Sequence, residues 1–287
     1  MLIDLHTHST ASDGTDRPAA LVAAARETGL DVVALTDHDT TLGWAEAAGA
    51  LPPGLTLVPG LELSCRWMPP NSGRPTMLHI LGYLVDPAHP ALSTALTRLR
   101  VSRLRRAERI TDRMAADGIP VTWERVAELA EGAAVGRPHL ARALVEAGVV
   151  NSVDQAFASL LSSRSPYHEP KADLEALTGV RLVNQAGGVA VFAHPLARRR
   201  GRVVGDEEIA AMAAAGLAGL EVDHPDHDEA DREHLRGLAA ELELLVTGSS
   251  DYHGTNKTVG IGRGGHTAPA AYDALVARAT GSAPISA

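Results

Sequence analysis

Strands alternating with helices toward both ends of the 287-residue chain predict an α/β protein built on parallel β/α units. Two further observations shape that expectation. Histidine, aspartate or glutamate stands at or just beyond most of the predicted strands, where β/α barrels carry their chemistry. Residues 91–177, by contrast, have helical periodicity and no convincing strand.

The first strand, Leu2-Ile3-Asp4-Leu5, runs into His6-Thr7-His8. Side chains alternate faces along a strand, so His6 and His8 point the same way. Asp13 follows in the turn-like Ser12-Asp13-Gly14. Residues 17–28 have helical spacing through Leu21, Val22 and Ala25 and stop at Gly29. The second strand, 32–36, delivers Asp37, His38 and Asp39, and a helix is expected near 42–50. The third strand, 55–64, brings Glu62; a Pro/Gly/Asn-rich loop at 69–75 then leads to a fourth, 77–83, carrying His79.

In the middle, residues 92–117 form one long helix dense in arginine, from Arg98 through Arg103, Arg106 and Arg109 to Arg113. Shorter helices are expected at 122–131, 138–146 and 153–161. Residues 91–177 thus read as a helical insert laid over the site, with 1–90 and 178–287 forming the barrel. Alternation resumes with strands at 188–193, 219–222 and 244–248, which lead into His194-Pro195, Glu221-Val222-Asp223-His224 and Ser250-Asp251-Tyr252-His253. The count is seven strands. The Ala/Gly/Ser-rich tail after Ala279 is expected to fray.

Composition narrows the function classes. No apolar run reaches membrane-spanning length, and the opening residues lack a basic n-region and apolar h-region. A single cysteine, Cys65, excludes an intramolecular disulfide and reads as a small buried hydrophobe; the cytoplasm is the expected compartment. The net charge of −9 argues against a broad nucleic-acid surface, and neither DNA, membrane nor an obligatory protein partner is expected.

His6, His8, Asp13, His38, Glu62, His79, His194, Asp251 and His253 are the candidate site residues. Singly, His79 also reads as a satisfied core histidine, Glu62 as a helix cap and His194 as a turn residue. Together, at one barrel mouth, they would leave several buried polar groups unpaired at roughly 1–3 kcal/mol each. That loss rivals a fold's whole margin of about 5–15 kcal/mol. Divalent cations remove the penalty by taking the lone pairs, and imidazole with carboxylate is the donor set they accept.

These motifs, with Thr36-Asp37-His38-Asp39 and Ala193-His194-Pro195, resemble the PHP (polymerase and histidinol phosphatase) family over essentially the whole chain. The resemblance implies a distorted seven-stranded (β/α) barrel with a trinuclear metal centre. It implies His6, His8, Glu62 and Asp251 on one ion, with Glu62 bridging to a second held by His79 and His194. Asp13, His38 and His253 would hold a third. Two or three ions are expected, manganese first, with zinc or iron as alternatives.

The insert, Gly136-Arg137-Pro138-His139 and the Tyr167-His168-Glu169-Pro170-Lys171 block resemble the branch acting on nucleoside 3′,5′-bisphosphates, some of whose relatives trim RNA from the 5′ end. The implied reaction hydrolyses the 3′-phosphate with a metal-activated water, leaving the 5′-monophosphate. Arg137, Lys171 and Arg198 are candidate substrate contacts. Asp37 is expected to orient His38, and His194 or His224 to protonate the leaving oxygen. Alternatives are a 5′→3′ exoribonuclease on short RNA, a histidinol-phosphate phosphatase and a non-catalytic metal-binding module.

Overall fold

The computed structural model describes residues 1–69, 73–130, 132–162 and 164–287. The middle of the loop expected at 69–75, and Glu131 at the end of the helix expected at 122–131, lie outside those residues.

Seven strands form one continuous path: β1 (Ile3–Asp4), β2 (Val32–Leu35), β3 (Thr56–Trp67), β4 (Thr76–Tyr83), β6 (Val189–Phe192), β7 (Gly219–Asp223) and β8 (Leu245–Gly248). β1, β2 and β3 run parallel, as do β6, β7 and β8. A parallel bridge between Thr7 and Tyr252, with His8 N donating to Tyr252 O at 2.8 Å, brings the two ends of the path together. The result is a nearly closed seven-stranded α/β barrel.

Three features depart from the sequence reading. β4 is antiparallel to both β3 and β6. Only residues 68–75 separate β3 from β4, and parallel pairing needs a crossover of a dozen residues or more, so the chain returns the other way. A two-residue strand, β5 (Leu174–Glu175), lies inside the stretch read as strand-free and pairs with Cys65 and Arg66 of β3. The tail does not fray: β9 (Ile285–Ser286) pairs antiparallel with Thr56 and Leu57. Gly281 makes that course feasible, since a Cβ there would sit 2.4 Å from Ala186 O and 2.5 Å from Asp86 N.

Ten helices occur among the described residues. α1 (Pro18–Glu27) starts on proline and buries Leu21, Val22 and Ala25, the residues its spacing singles out. α2 (Trp44–Gly49) is short. α3 (Pro90–Ala116) also opens on proline and is capped by His89, whose Nδ1 accepts from Leu92 N. Its buried stripe runs Leu92, Leu96, Leu99, Arg103, Ala107, Ile110 and Met114, so an arginine stands in an apolar row.

α4 (Trp123–Ala130), α5 (Arg137–Glu146) and α6 (Val153–Ala158) pack against the far half of α3 around Ile110, Met114, Val126, Leu140 and Leu144. The barrel has its own core around Leu35, Leu61, Leu63, Ile80 and Val183. α7 (Ala176–Gln185), α8 (Asp206–Ala214), α9 (Glu229–Glu241) and α10 (Pro269–Arg278) complete the chain. Among the described residues, no helix is long and apolar enough to cross a membrane.

Candidate metal centre

Strand ends deliver the polar residues to one place. The backbone beyond β2 continues in register with β3, bridging His38 to Glu62. Glu62 is the hub. Its Oε2 lies 3.2 Å from His6 Nε2, 3.1 Å from His8 Nε2 and 3.0 Å from His38 Nδ1. Its Oε1 lies 2.7 Å from His79 Nδ1 and 3.1 Å from His194 Nε2. His79 reaches it because the antiparallel register sets His79 opposite Ser64, two residues beyond Glu62.

A second carboxylate, Asp251, puts Oδ1 at 3.5 Å from His6 Nε2, 3.6 Å from His8 Nε2 and 3.4 Å from His253 Nδ1. Asp13 stands 3.8 Å from His8 Nδ1, 3.7 Å from His38 Nε2 and 3.5 Å from His253 Nε2. All nine residues expected at the site therefore converge. Three overlapping groups have the spacing to hold a cation: His6, His8 and Asp251; His38, Glu62 and His79; His8, Asp13, His38 and His253.

The chemistry of these donors fits divalent ions. His6 Nε2 and His8 Nε2 face each other at 3.0 Å. His38 Nδ1, His79 Nδ1 and Asp251 Oδ1 are buried with no hydrogen-bond partner, the two imidazoles approaching Glu62 closely but outside hydrogen-bond geometry. Buried polar atoms are rarely left in that condition, and a cation satisfies them. Burial lowers the affinity of His194, His253 and His38 for protons, pushing His194 down to about 3. Neutral imidazole is the form a metal takes. Burial opposes the charge on Glu62, yet the imidazoles of His79, His38 and His6 hold it well below its usual range. His6 goes the other way: burial lowers it, but Glu221, Asp251 and Glu62 more than offset that and raise it.

The PHP domain profile matches residues 4–82. A 5′-3′ exoribonuclease of Haemophilus influenzae is 35% identical over 251 residues, spanning 87% of this chain and 89% of that protein. A 3′,5′-nucleoside bisphosphate phosphatase of Chromobacterium violaceum is 34% identical over 253 residues, 88% and 87% of the two chains. The chain belongs to the PHP family. A solved structure from Bifidobacterium adolescentis, inferred to be a metal-dependent phosphoesterase, superposes with a TM-score of 0.89 at 38% identity, covering 97% of this chain and 96% of that one. This PHP protein is thus a metal-dependent hydrolase of phosphate esters.

Outside the nine, further carboxylates brace the PHP centre. Glu221, on β7, is fully buried: Oε1 accepts from His6 Nδ1 at 2.9 Å and Ser249 Oγ at 2.5 Å, and Oε2 accepts from His194 N at 2.8 Å. Asp4 accepts from Ser250 N, Ser250 Oγ and Gly262 N, tying β1 to the segment that carries Asp251. Asp37, expected to orient His38, instead accepts from Ser9 N, Ser9 Oγ and Ser12 Oγ; Ser12 Oγ lies 3.4 Å from His8 Nδ1. Asp37 therefore reaches the centre through His8. Burial raises both Asp4 and Asp37 above the usual carboxylate range. Glu221 was the one to find: its place at a strand's carboxyl end marked it, and only its contact with His6 shows its use.

Cations flank the PHP centre on two sides. On the helical side, the N-terminal turn of α5 packs on Asp13, where a Cβ at Gly136 would lie 3.4 Å from its carboxylate. Arg137 is half-buried, donates to Leu161 O and lies 5.3 Å over the Phe157 ring. Arg106 is its electrostatic neighbour; burial and the charges of Arg137 and Arg103 push it down to about 10, and its Nε has no partner. Lys171 is turned onto Asp173. His139 is buried, and its Nδ1 accepts from Gly136 N and caps α5. Arg109 and Arg113 pair with Glu169.

On the other side, Arg198 pairs outward with Asp231, and Arg200 points inward. Arg200 Nη2 lies 2.6 Å from Asp251 Oδ2, with Lys257 Nζ at 2.5 Å and His224 Nε2 at 3.2 Å from the same oxygen. Arg200 and Lys257 stand in basic or loop sequence with nothing local to single them out. Cys65 is buried and its thiol pushed well up by that burial, as expected of an inert residue.

Proposed function

We propose that the protein removes the 3′-phosphate of nucleoside 3′,5′-bisphosphates, giving the 5′-monophosphate and inorganic phosphate, over a trinuclear centre occupied by manganese in the cytoplasm. The observation that carries this reading is the half-buried pair Arg106 and Arg137, of which Arg137 follows Gly136, whose backbone packs on Asp13 at the rim of the centre. One phosphate group needs only the centre; a second needs cations set apart from it, and guanidinium forks suit phosphate. The relative named as a 3′,5′-nucleoside bisphosphate phosphatase supports the same substrate.

In this reading residues 91–177 act as an insert that covers the barrel mouth, with Arg137, Arg106 and Lys171 holding the non-reacting 5′-phosphate. His6, His8, Glu62 and Asp251 hold one ion, Glu62, His79 and His194 a second, and Asp13, His38 and His253 a third. Divalent ions bound there neutralise phosphoryl charge and acidify water. Water adds to phosphorus, the P–O3′ bond breaks, and the departing oxygen must gain a proton.

His224 is the donor we assign. Its Nδ1 accepts from Asp226 N at 2.9 Å, so the proton resides on Nε2, which faces the site. His194 points Nε2 at Glu62 and would give that nitrogen's lone pair to the second ion, which leaves it no proton to donate on that face. Arg200 and Lys257 lie where they would meet the oxygens of the reacting group.

A 5′→3′ exoribonuclease is the second reading, favoured by the exposed arginines Arg198, Arg199 and Arg202 beside Arg200 and by the Haemophilus relative's name. The same P–O3′ bond would break, with the next nucleotide leaving on the phosphate. Phosphate release from 3′,5′-bisphosphoadenosine, measured beside cleavage of 5′-phosphorylated oligoribonucleotides with Mn²⁺ and with chelator, separates the two. Inactivity on the bisphosphate with Mn²⁺ refutes the first reading.

A further inference from the structure

We propose that Arg103, from helix α3, is a positioning residue for the metal centre, setting His38, Glu62 and His79 through Asp39 and Ser64. The inference rests on the metal reading above, in which these three donors serve ions that share the Glu62 carboxylate.

Arg103 has no reason of its own to stand in the apolar stripe of α3. Its guanidinium is buried and makes two directed contacts: Nε to Asp39 Oδ2 at 2.6 Å and Nη2 to Ser64 Oγ at 2.8 Å. Asp39 and Ser64 are themselves locked together. Ser64 N donates to Asp39 Oδ1 and Ser64 Oγ to Asp39 Oδ2, each at 2.8 Å. Asp39 N donates to Glu62 O at 3.0 Å.

The three backbones gathered by this network carry the pocket. Asp39 follows His38 directly. Ser64 is two residues beyond Glu62, on the same face of β3. In the antiparallel register Ser64 is also paired with His79. A shift of the Asp39–Ser64 unit therefore displaces His38, Glu62 and His79 together, and leaves His6, Asp251 and His253 on their separate supports at Asp4 and Glu221. Asp39 also sits in the left-handed region at φ 55°, which an aspartate keeps only when held there.

α3 thus sets part of the centre as well as carrying Arg106 one turn further on. One cation proposed to grip the anion and one brace of the metal donors therefore share a helix.

The test uses full-length protein stripped with chelator and titrated with Mn²⁺ by calorimetry, with elemental analysis for stoichiometry and thermal unfolding alongside. Arg103→Lys keeps the charge but cannot fork between Asp39 and Ser64. The expected result is a roughly 10–100-fold weakening of Mn²⁺ binding, the size of a lost supporting contact, with the melting temperature of the stripped protein close to wild type. Ser64→Ala is expected to weaken binding by less, and it decides the matter if Arg103→Lys does not fold. Wild-type affinity at every equivalent, or uniform weakening that tracks the melting temperature, overturns the proposal. A wild-type protein that binds no Mn²⁺ overturns instead the metal reading beneath it.

Discussion

Replacing Glu221 by glutamine changes one atom and no volume, and the geometry dictates what it does. Three donors converge on this carboxylate: His6 Nδ1 and Ser249 Oγ on Oε1, His194 N on Oε2. A glutamine has one oxygen and one NH₂ to offer them. With its oxygen toward His6, the NH₂ meets the His194 N–H and that bond is lost. With its NH₂ toward His6, Nδ1 must give up its proton, which moves to Nε2. That atom faces Glu62 at 3.2 Å and Asp251 at 3.5 Å, so the lone pair offered to a cation disappears. Either orientation removes one charge-assisted hydrogen bond, about 1.5–3 kcal/mol. At 1.4 kcal/mol per decade, the expected weakening of Mn²⁺ is about tenfold to a little over a hundredfold. Calorimetric titration of stripped protein reads it directly, and phosphate release should fall in step at limiting metal. Wild-type Mn²⁺ affinity in Glu221→Gln protein refutes the reasoning, because both orientations of the amide would then have been tolerated.

Arg137→Ala is expected to raise KM for 3′,5′-bisphosphoadenosine by roughly 10–100-fold, the worth of a charged hydrogen bond, and to raise KM for a simple monoester much less; equal effects on both refute the contact. His224→Gln should lower kcat on the nucleotide by about 10²–10⁴-fold and spare p-nitrophenyl phosphate, whose leaving group needs no proton, so parallel losses would remove His224 as the acid. His194 is held at about 3 against its usual 6.5, so the unfolded chain takes this proton first. Metal-stripped protein should therefore lose stability as pH falls from about 6.5 toward 3, and His194→Gln should flatten that loss in urea titrations; an unchanged slope would contradict the burial argument.

What the sequence disclosed and what it hid divide along the range of the interactions. His6 and His8 at i, i+2, and Asp251 and His253 likewise, are local patterns, because a strand turns alternate residues to one side whatever surrounds it. The same holds for α1 and α3, whose buried stripes follow their own periodicity. β5 and β9 are two residues each, too short for any period to show, and they exist only because β3 offers an edge. The direction of β4 was open in the same way until the length of its connection was weighed. Glu221, Arg200 and Lys257 act on residues 215, 51 and 6 positions away. Arg103 looked like one more member of a basic helix, and only its burial against Asp39 sets it apart from Arg105, its exposed neighbour.

Three non-glycine residues at the centre adopt left-handed backbone: Asp39, His194 and Asp251, with φ of 55°, 33° and 50°. Such residues cost of order 1–3 kcal/mol each and persist only where the surroundings over-determine them. Each has its own brace. Asp39 is held by Ser64 and Arg103. The amide of His194 is held by Glu221. The carbonyl of Asp251 takes His253 Nδ1 at 2.8 Å and Lys257 Nζ at 3.3 Å. A sharp reversal at a strand end lets a side chain turn into the barrel mouth where an extended residue would continue past it. The strain is thus the means by which separate strand ends aim at one point, and the bracing groups rank with the nine donors in building the site. Relieving the strain by glycine should consequently spare the fold and loosen the centre: in Asp39→Gly protein, the backbone is easier and the link to Arg103 is gone.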